Sequence, residues 1–296
     1  MTGPSAQSGR SAARRAARVV GQASDRLALR SIPATTRWYV GTHHKTGTVW
    51  LGNIFGAIAR VRGLDVVRVH CPDDTGVRTV PEGFDLSRPG IYLDMHSLSA
   101  GALAAAAPIR GIRMVRDPRD VVISAAHYHL KGTEAWLHEP TEAFGGESYC
   151  TTIRGLPSMR ARFEFEMGNS AGRIVRAMTD FDDLDGQIRT FPYEVVKADP
   201  ASSFGEMFTH LGVGGPALRR VGDLAVGMRP AGDGGHVRSG QIAEWMGVYD
   251  RGLADAFVAA FGPTLEQLGY AEPGDGWADA LPGRLERLDA PQPWEG

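Results

Sequence analysis

Short apolar runs alternate along this chain with longer segments in which apolar residues recur every three to four positions. The short runs predict buried strands at 38–40, 66–69, 90–96, 112–115 and 188–191. The helical spacing predicts helices at 49–61, 100–107, 158–167, 171–178, 203–211, 216–221 and 254–268. Strands that alternate with helices predict an α/β fold, in which a central, mainly parallel sheet is flanked by helices.

The turn after the first predicted strand has the composition of an anion-binding site. Residues 41–48 are Gly-Thr-His-His-Lys-Thr-Gly-Thr, and a predicted helix follows directly. The N–H groups at the start of a helix have no acceptor within it and attract anions. Lys45 adds a positive charge, and Thr46 and Thr48 add hydroxyl donors. This P-loop-like turn predicts a phosphate or sulfate cradle, although many αβ turns carry a glycine and a lysine without binding anything.

A second strand, turn and helix with a positively charged turn spans residues 116–124. Asp117 followed by Pro118 predicts a helix start with Asp117 as its N-cap. Arg116 then falls at the carboxyl end of the preceding strand. Ser124 lies about two turns into the helix, on a face that returns toward Arg116. For each residue alone, an exposed arginine and an ordinary helical serine remain the alternative interpretation.

Four chemically distinctive residues follow predicted strands, namely Lys45, His96, Arg116 and Tyr193. Ligands of parallel α/β sheets bind outside the carboxyl ends of the strands. We therefore expect one edge of one sheet to gather these side chains into a single anion-binding active site.

Composition excludes several other classes of protein. The 296 residues are 43% hydrophobic and 22% charged, which is typical of a globular protein. A net charge of −2 argues against nucleic-acid binding, which needs a dominant basic surface. No apolar stretch reaches the roughly 18 residues that span a bilayer. The two cysteines, Cys71 and Cys150, form neither a disulfide framework nor a zinc motif, so we expect a cytoplasmic protein without a metal.

The pattern divides the chain into a tail and one domain. Residues 1–36 are predicted to form a basic N-terminal tail or helix, either frayed or in peripheral contact with a membrane or an acidic partner. Residues 37–296 are predicted to form a single domain. Within it, residues 131–180 mix glycine, proline, aromatic and charged residues, which favours a substrate-binding or lid segment. No signature indicates the oligomeric state.

Four motifs in order resemble the sulfotransferase family that uses 3′-phosphoadenosine 5′-phosphosulfate (PAPS). Residues 45–50 (Lys-Thr-Gly-Thr-Val-Trp) resemble its 5′-phosphosulfate loop, and residues 116–124 resemble its 3′-phosphate motif. Residues 192–194 (Pro-Tyr-Glu) and the loop at 238–245 also match in order. The resemblance runs from about residue 37 to 270 and is greatest to the cytosolic-type branch, in a bacterial-like form.

The resemblance implies a division of labour in binding the donor. The 5′-phosphate and the transferring sulfuryl group would be held by Lys45, Thr46, Gly47, Thr48 and Val49. Trp50 and Tyr193 would bind adenine. The 3′-phosphate would be held by Arg116, Ser124, Arg238, Ser239 and Gly240, and planar guanidinium groups suit phosphate oxygens. Asp120 is predicted to be a helix-start residue, because an acid would repel the phosphate.

The resemblance also implies the reaction. PAPS would donate a sulfuryl group to a hydroxyl of a small-molecule, glycolipid or carbohydrate acceptor, leaving adenosine 3′,5′-bisphosphate (PAP) without the help of a metal. His96 is the predicted base, since imidazole titrates near neutral pH and a strand-end histidine has this role in the cytosolic branch. Lys45 would stabilise charge on the leaving oxygen.

The chain departs from the cytosolic branch at several positions. The residue two before the predicted base is Asp94, where that branch has a lysine, so Asp94 is predicted to orient His96 or to bind the acceptor. His43 and His44 replace an aromatic-proline pair and are predicted to lie near the acceptor, and one of them is the alternative base to His96. His127 and His129 either line the acceptor pocket or are surface or packing residues without a special role. Residues 49–60 contain no acid, which removes the glutamate base of the Golgi branch.

Two other functions are compatible with a phosphate-binding turn. A P-loop kinase or other NTPase is one, although its motif places the lysine after the second glycine, whereas Lys45 precedes Gly47. A non-catalytic nucleotide-binding protein with the same fold is the other. The identity of the acceptor is not predicted.

Overall fold

The computed structural model describes residues 27–69, 84–229 and 240–292, and the strands in these ranges form one parallel sheet. Its strands are β1 (Arg37–Gly41), β2 (Val66–Val69), β3 (Gly90–Asp94), β4 (Arg110–Val115) and β5 (Ile188–Pro192). Their spatial order is β2-β3-β1-β4-β5, and every neighbouring pair is parallel. Each predicted strand is present, and the α/β fold with a central parallel sheet is confirmed.

Helices connect and follow these strands. They are α1 (Thr48–Arg62), α2 (Ala100–Ala106), α3 (Pro118–His129), α4 (Ala135–His138), α5 (Tyr149–Gly155), α6 (Met159–Gly168), α7 (Ser170–Thr179), α8 (Tyr193–Ala198), α9 (Pro200–His210), α10 (Gly215–Gly227), α11 (Trp245–Val248), α12 (Arg251–Phe261), α13 (Thr264–Gln267) and α14 (Glu286–Asp289). A 3₁₀ turn lies at Glu142–Phe144. None of the helices in the described ranges is long and apolar enough to cross a membrane.

The last predicted helix is wrong as one element. Residues 254–268 belong to two helices, α12 and α13, which are separated by Gly262 and Pro263. Gly262 has φ of 52°, in the left-handed region that ends helices. Pro263 has no N–H with which to continue α12. The apolar periodicity continues through the break, because Phe261 and Leu265 are both buried.

The chain divides into two compact units, each built from separate stretches. In its described part, the first unit comprises residues 27–69, 84–115 and 181–229, and it contains the whole sheet with α1, α2, α8, α9 and α10. The second comprises residues 116–180 and 240–292, and the elements described there are helical. The predicted lid segment, 131–180, lies in this second unit. That residues 37–296 act as one domain stays a prediction.

The sheet of the first unit has helices packed on both faces. Alternate strand residues such as Trp38, Val40 and Met114 share a cluster with the apolar faces of α1, α9 and α10. The opposite face carries a smaller cluster around Tyr39 and Tyr92, which includes residues of α2. Both faces of the strands are therefore buried, as expected of a parallel sheet.

Part of the predicted tail contributes to the core of the first unit. Residues 1–26 lie outside the described residues, but Leu29 and Ile32 are fully buried and belong to the larger cluster. The carbonyl of Ile32 also accepts a hydrogen bond from Arg62 Nε at 2.6 Å.

Candidate active site

The turn between β1 and α1 is held in shape by its own polar groups. The Thr46 hydroxyl accepts from the N–H of His43 (2.8 Å) and lies within donating distance of two carbonyls, those of His43 (2.9 Å) and Met114 (3.1 Å). The Thr48 hydroxyl donates to the Thr42 hydroxyl (2.9 Å) and approaches the His43 carbonyl (3.1 Å). Lys45 has φ of 68°, a left-handed conformation that a lysine adopts only when the surrounding turn fixes it.

These bonds correct the predicted role of Thr46. Its side chain is fully buried and its hydroxyl is used inside the turn, so that hydroxyl is not a donor to an anion. The N–H of Thr46 also bonds to the His43 carbonyl at 3.1 Å. We therefore assign Thr46 to shaping the turn.

Backbone donors take the place of that hydroxyl. The N–H groups of Gly47, Thr48 and Val49 have no acceptor among the described residues. The reason is that α1 begins at Thr48, so no earlier helical turn supplies carbonyl groups to which they could donate. Three consecutive N–H groups at the start of a 15-residue helix, with Lys45 two residues before them, form a cradle for an anion. Thr48 and Lys45 are both partly exposed, and Val49 is exposed.

Gly47 is required at the mouth of this cradle. Its φ is 103°, and a Cβ added there would lie 2.7 Å from Met114 Sδ and 3.3 Å from the ring of Tyr193. The ring of Tyr193 therefore lies against the cradle, as expected from its place after β5. Tyr193 is partly buried against the larger cluster, and its predicted contact with adenine stays a prediction.

A second turn, after β3, carries His96 and is organised by Asp94. One carboxylate oxygen of Asp94 accepts from the N–H groups of His96 (3.1 Å) and Ser97 (3.0 Å). The other accepts from the N–H and hydroxyl of Ser99 (both 2.7 Å) and from the hydroxyl of Tyr39 (3.1 Å). Asp94 is 1% exposed. It therefore positions the backbone of His96 rather than binding an acceptor, which corrects one of its two predicted roles.

The two turns are joined to each other. The N–H of Thr42 donates to the Asp94 carbonyl (2.9 Å), and the Ser97 hydroxyl donates to the Thr42 carbonyl (2.9 Å). Gly41 allows this contact, because a Cβ there would lie 2.7 Å from the Ser97 hydroxyl. The anion cradle and the half-buried His96 are thus held at neighbouring strand ends by direct hydrogen bonds.

Trp50 does not offer a surface to adenine. Its side chain is 1% exposed, its ring lies 5.4 Å from that of Phe204, and its indole N–H donates to the Ala225 carbonyl (3.0 Å). An indole packs well in an apolar core once its N–H has an acceptor. We therefore assign Trp50 to the core, and this corrects its predicted stacking role.

His43 and His44 differ in accessibility. His43 is 1% exposed, and its backbone groups are used by Thr46 and Thr48, so it belongs to the framework of the turn. This corrects its prediction as an acceptor-binding residue. His44 is partly exposed next to Lys45, so its predicted place near the acceptor stays a prediction.

In the second unit, Arg116 lies in a buried polar network. Its Nη2 donates to the Gln241 carbonyl (2.9 Å) and lies 3.4 Å from the carboxylate of Asp120, one helical turn on. The same carboxylate accepts from the N–H of Trp245 at 3.0 Å. Arg116 is 4% exposed, so the alternative of an exposed arginine is wrong. Asp120 lies in the first turn of α3, as predicted, and it also fixes the 241–245 segment.

The rest of the 3′-phosphate motif has the predicted local structure. Asp117 is the N-cap of α3 and accepts from the N–H of Arg119 at 2.9 Å. Ser124 is partly buried in the second turn of α3, on the same face as Asp120. Gly240 has φ of 57° and is partly buried. Arg238 and Ser239 lie outside the described residues.

The histidines of α3 have different environments. His129 is fully buried, and its Nδ1 lies 2.5 Å from a carboxylate oxygen of Glu166. The rings of Trp136 and Tyr149 pack edge to face against its imidazole. The alternative that His129 packs in the interior is therefore correct, and it does not line an acceptor pocket. His127 is partly exposed, with its ring 6.1 Å from that of Phe163, and its acceptor-binding role stays a prediction.

Sequence reasoning missed the residues that hold these turns. Tyr39 and Arg119 are the clearest cases, since one bonds to Asp94 and the other to Asp117. An unusual buried tyrosine in a predicted strand and an arginine directly after an Asp-Pro helix start are the only signals they leave in the sequence. Among the described residues, no group of three His, Cys, Asp or Glu side chains is arranged to hold a metal.

Comparisons with known proteins add likenesses of structure. No protein-family model matches this chain, and no curated protein matches it. One similar solved structure is that of mouse sulfotransferase SULT7A1 complexed with PAP, with 15% identity, a TM-score of 0.48, and coverage of 84% of this chain and 92% of that chain. Another is retinol dehydratase in complex with androsterone and inactive cofactor PAP, with 13% identity, a TM-score of 0.48, and coverage of 80% and 83%. At these identities and scores, the two likenesses do not place the chain in a family.

Proposed function

We propose that this protein is a PAPS-dependent sulfotransferase that acts on the hydroxyl of a small-molecule, glycolipid or carbohydrate acceptor. The observation that carries the proposal is that two turns of the first unit are joined by hydrogen bonds. One presents the N–H groups of Gly47, Thr48 and Val49 beside Lys45, and the other, bonded to it through Thr42, carries His96. An anion cradle next to a potential base is what transfer of an anionic group to a hydroxyl needs.

Each residue has a separate part in the proposed reaction. When bound, PAPS supplies the sulfuryl group. The N–H groups of the cradle hold the 5′-phosphosulfate, and Tyr193 contacts adenine. His96 accepts the acceptor's hydroxyl proton at an imidazole nitrogen as the new S–O bond forms. Lys45 donates to the bridging oxygen, which retains the electron pair of the broken S–O bond, so the products are a sulfate ester, PAP and a proton on His96.

The second unit has its own part in the proposal. Arg116, Ser124 and Gly240, together with Arg238 and Ser239, bind the 3′-phosphate. The support for this is the sequence motif together with the buried guanidinium of Arg116, since arginine is suited to phosphate oxygens. In a P-loop kinase or NTPase the lysine follows the second glycine, whereas Lys45 precedes Gly47. Those enzymes also have no need of a site for a 3′-phosphate.

The experiment is a search for sulfated products. Purified protein is incubated with PAPS and a metabolite extract, PAP is measured by chromatography, and sulfated products are identified by mass spectrometry. We expect Lys45→Ala to lower turnover by about 10²- to 10³-fold and His96→Ala by about 10²- to 10⁴-fold. Arg88→Ala removes an exposed cation that pairs with Asp65, and we expect it to retain full activity.

The outcomes separate the alternatives. Full turnover in His96→Ala would show that another group is the base. Hydrolysis of ATP in the presence of magnesium, without PAP formation, would favour an NTPase. Binding of PAP without any sulfated product across a broad acceptor panel would favour a non-catalytic nucleotide-binding protein.

A further inference from the structure

Arg119, in the first turn of α3, has a set of contacts that the proposed chemistry does not use. It is 3% exposed. Its guanidinium forms a two-point ion pair with Asp117, with Nε and Nη2 at 2.9 and 2.8 Å from the two carboxylate oxygens. Nη2 also lies 3.2 Å from the carbonyl of Tyr270.

Two indole rings also contact this guanidinium. The guanidinium carbon Cζ of Arg119 lies 3.6 Å from the ring centre of Trp245 and 4.7 Å from that of Trp277. The two rings meet edge to face at 5.4 Å and 86°. A desolvated guanidinium between indole faces is a strong cation–π arrangement, and its charge is balanced by Asp117. We call Asp117, Arg119, Trp245 and Trp277 the indole clasp.

The clasp holds the segment that also contacts Arg116. Residues 241–245 are fixed to the start of α3 at three points, which are the Gln241 carbonyl on Arg116, the Trp245 N–H on Asp120, and the Trp245 ring on Arg119. Two of these three contacts belong to one residue, Trp245. The order of the segment that follows Gly240 therefore depends on how firmly Trp245 is held.

We propose that Arg119 is a positioning residue for the 3′-phosphate site, and that it acts through Trp245 and Trp277. This inference rests on the proposed function. Through the clasp, Arg119 fixes the 241–245 segment and with it the place of Gly240 relative to Arg116. The expected effect is on the 3′-phosphate, because the clasp and the described residues proposed to hold that phosphate, Arg116, Ser124 and Gly240, belong to the second unit.

The test compares two nucleotides that differ in that phosphate. PAP and AMP share the adenosine and the 5′-phosphate, and AMP lacks the 3′-phosphate. We expect Trp277→Ala and Arg119→Ala to weaken PAP binding about tenfold in calorimetry, with AMP binding almost unchanged. Arg119→Lys keeps the charge and loses the planar stacking, so we expect a smaller loss of PAP affinity.

A matched control removes an indole elsewhere in the same unit. Trp136 packs on His129 and Tyr149, away from the clasp. We expect Trp136→Ala to leave the ratio of PAP to AMP affinity as it is in the wild type. Equal losses of PAP and AMP affinity in the clasp variants would overturn the positioning role, since general destabilisation would produce that result.

Hydrogen exchange gives a readout that needs no nucleotide. The N–H of Trp245 is bonded to Asp120, and we expect it to exchange faster in Trp277→Ala than in the wild type. An unchanged exchange rate would overturn the clasp. A wild type that binds neither PAP nor AMP would instead contradict the proposed function, and the exchange rates would still decide whether the clasp holds Trp245.

Discussion

Asp94 shows how much backbone a single buried carboxylate can order. Its carboxylate accepts hydrogen bonds from the N–H groups of His96 and Ser97, from the N–H and hydroxyl of Ser99, and from the hydroxyl of Tyr39 on the neighbouring strand. Removing the carboxylate leaves the N–H groups of His96, Ser97 and Ser99 to find other acceptors in a buried setting. Each such unsatisfied donor costs about 1–3 kcal/mol.

We therefore expect Asp94→Ala to lower the free energy of unfolding by at least about 2 kcal/mol and to reduce turnover, because the His96 turn loses its shape. Urea unfolding and the sulfation assay measure the two effects. Asp85→Ala is the control, since Asp85 makes comparable bonds to Ser87 on the exposed surface and we expect little change there. A fully stable and active Asp94→Ala protein would contradict this assignment.

Gly47 gives a second prediction at the scale of one residue. We expect Gly47→Ala to lower the free energy of unfolding by about 1–2 kcal/mol, because alanine is strained in the left-handed region. The φ of 103° and the close Met114 sulfur are the structural reasons. Urea unfolding curves measure the change.

Gly101→Ala supplies a control of opposite sign. Gly101 lies in α2, its φ is not positive, and a Cβ there would meet nothing within 4 Å. Alanine favours the helix over glycine by about 1 kcal/mol, so we expect this variant to be more stable than the wild type. If both substitutions had the same effect, the special conformation of Gly47 would not be the cause.

At the scale of elements, local signals were sufficient where a cap marked the boundary. Asp117 and Pro118 predicted the start of α3, and the structure begins the helix at Pro118. The break at Gly262 was missed because the apolar spacing runs across it. The short helices α4 and α5 were missed because their few residues show no period.

In the candidate site, contiguous motifs were predictable and long-range partners were not. The cradle at Lys45 and the motif at Arg116 are contiguous in sequence, so their composition revealed them. Asp94 bonds to Tyr39, which is 55 positions away, and Arg119 bonds to Tyr270, which is 151 positions away. A single sequence carries no signal for pairs so far apart. Helical spacing placed Trp50 on a buried stripe, which the structure confirms, whereas the burial of His129 against Glu166 depends on tertiary packing.

Asp250 carries a prediction on pH at this scale. It caps α12 through the N–H of Leu253, bonds to the N–H of Leu285, and pairs with Arg160. Burial raises the pKa of this carboxyl, but the bonds from Arg160 and the two N–H groups outweigh it and lower the pKa to about 2. A lowered pKa means that the folded state favours the charged form, so its contribution to stability is complete above about pH 4 and is lost as the pH falls toward 2.

We therefore expect the difference in stability between the wild type and Asp250→Asn to be largest near neutral pH and to shrink between pH 4 and 2. Thermal unfolding at a series of pH values measures this difference. Asp223→Asn is the control, because Asp223 is exposed in its pair with Arg220. A difference that stays constant down to pH 2 would contradict the role of the Asp250 charge.

At the scale of the whole molecule, the candidate site residues divide between two kinds of structure. The first unit holds the sheet with the cradle and His96, and the second holds Arg116 and the helices that follow it. Alternation of strands and helices predicted the first arrangement. The second unit left no such pattern, because its two stretches are separated in sequence by β5 and the helices after it.

The indole clasp has a consequence for how the chain is made. Arg119 is synthesised 126 residues before Trp245 and 158 residues before Trp277, so its burial cannot be completed until Trp277 has left the ribosome. Until then the Asp117 and Arg119 side chains keep their hydration, and the start of α3 has no cover from the late residues. The indole clasp is therefore completed only after Trp277 has been made, whereas the five described strands of the sheet have all been made once Pro192 is in the chain.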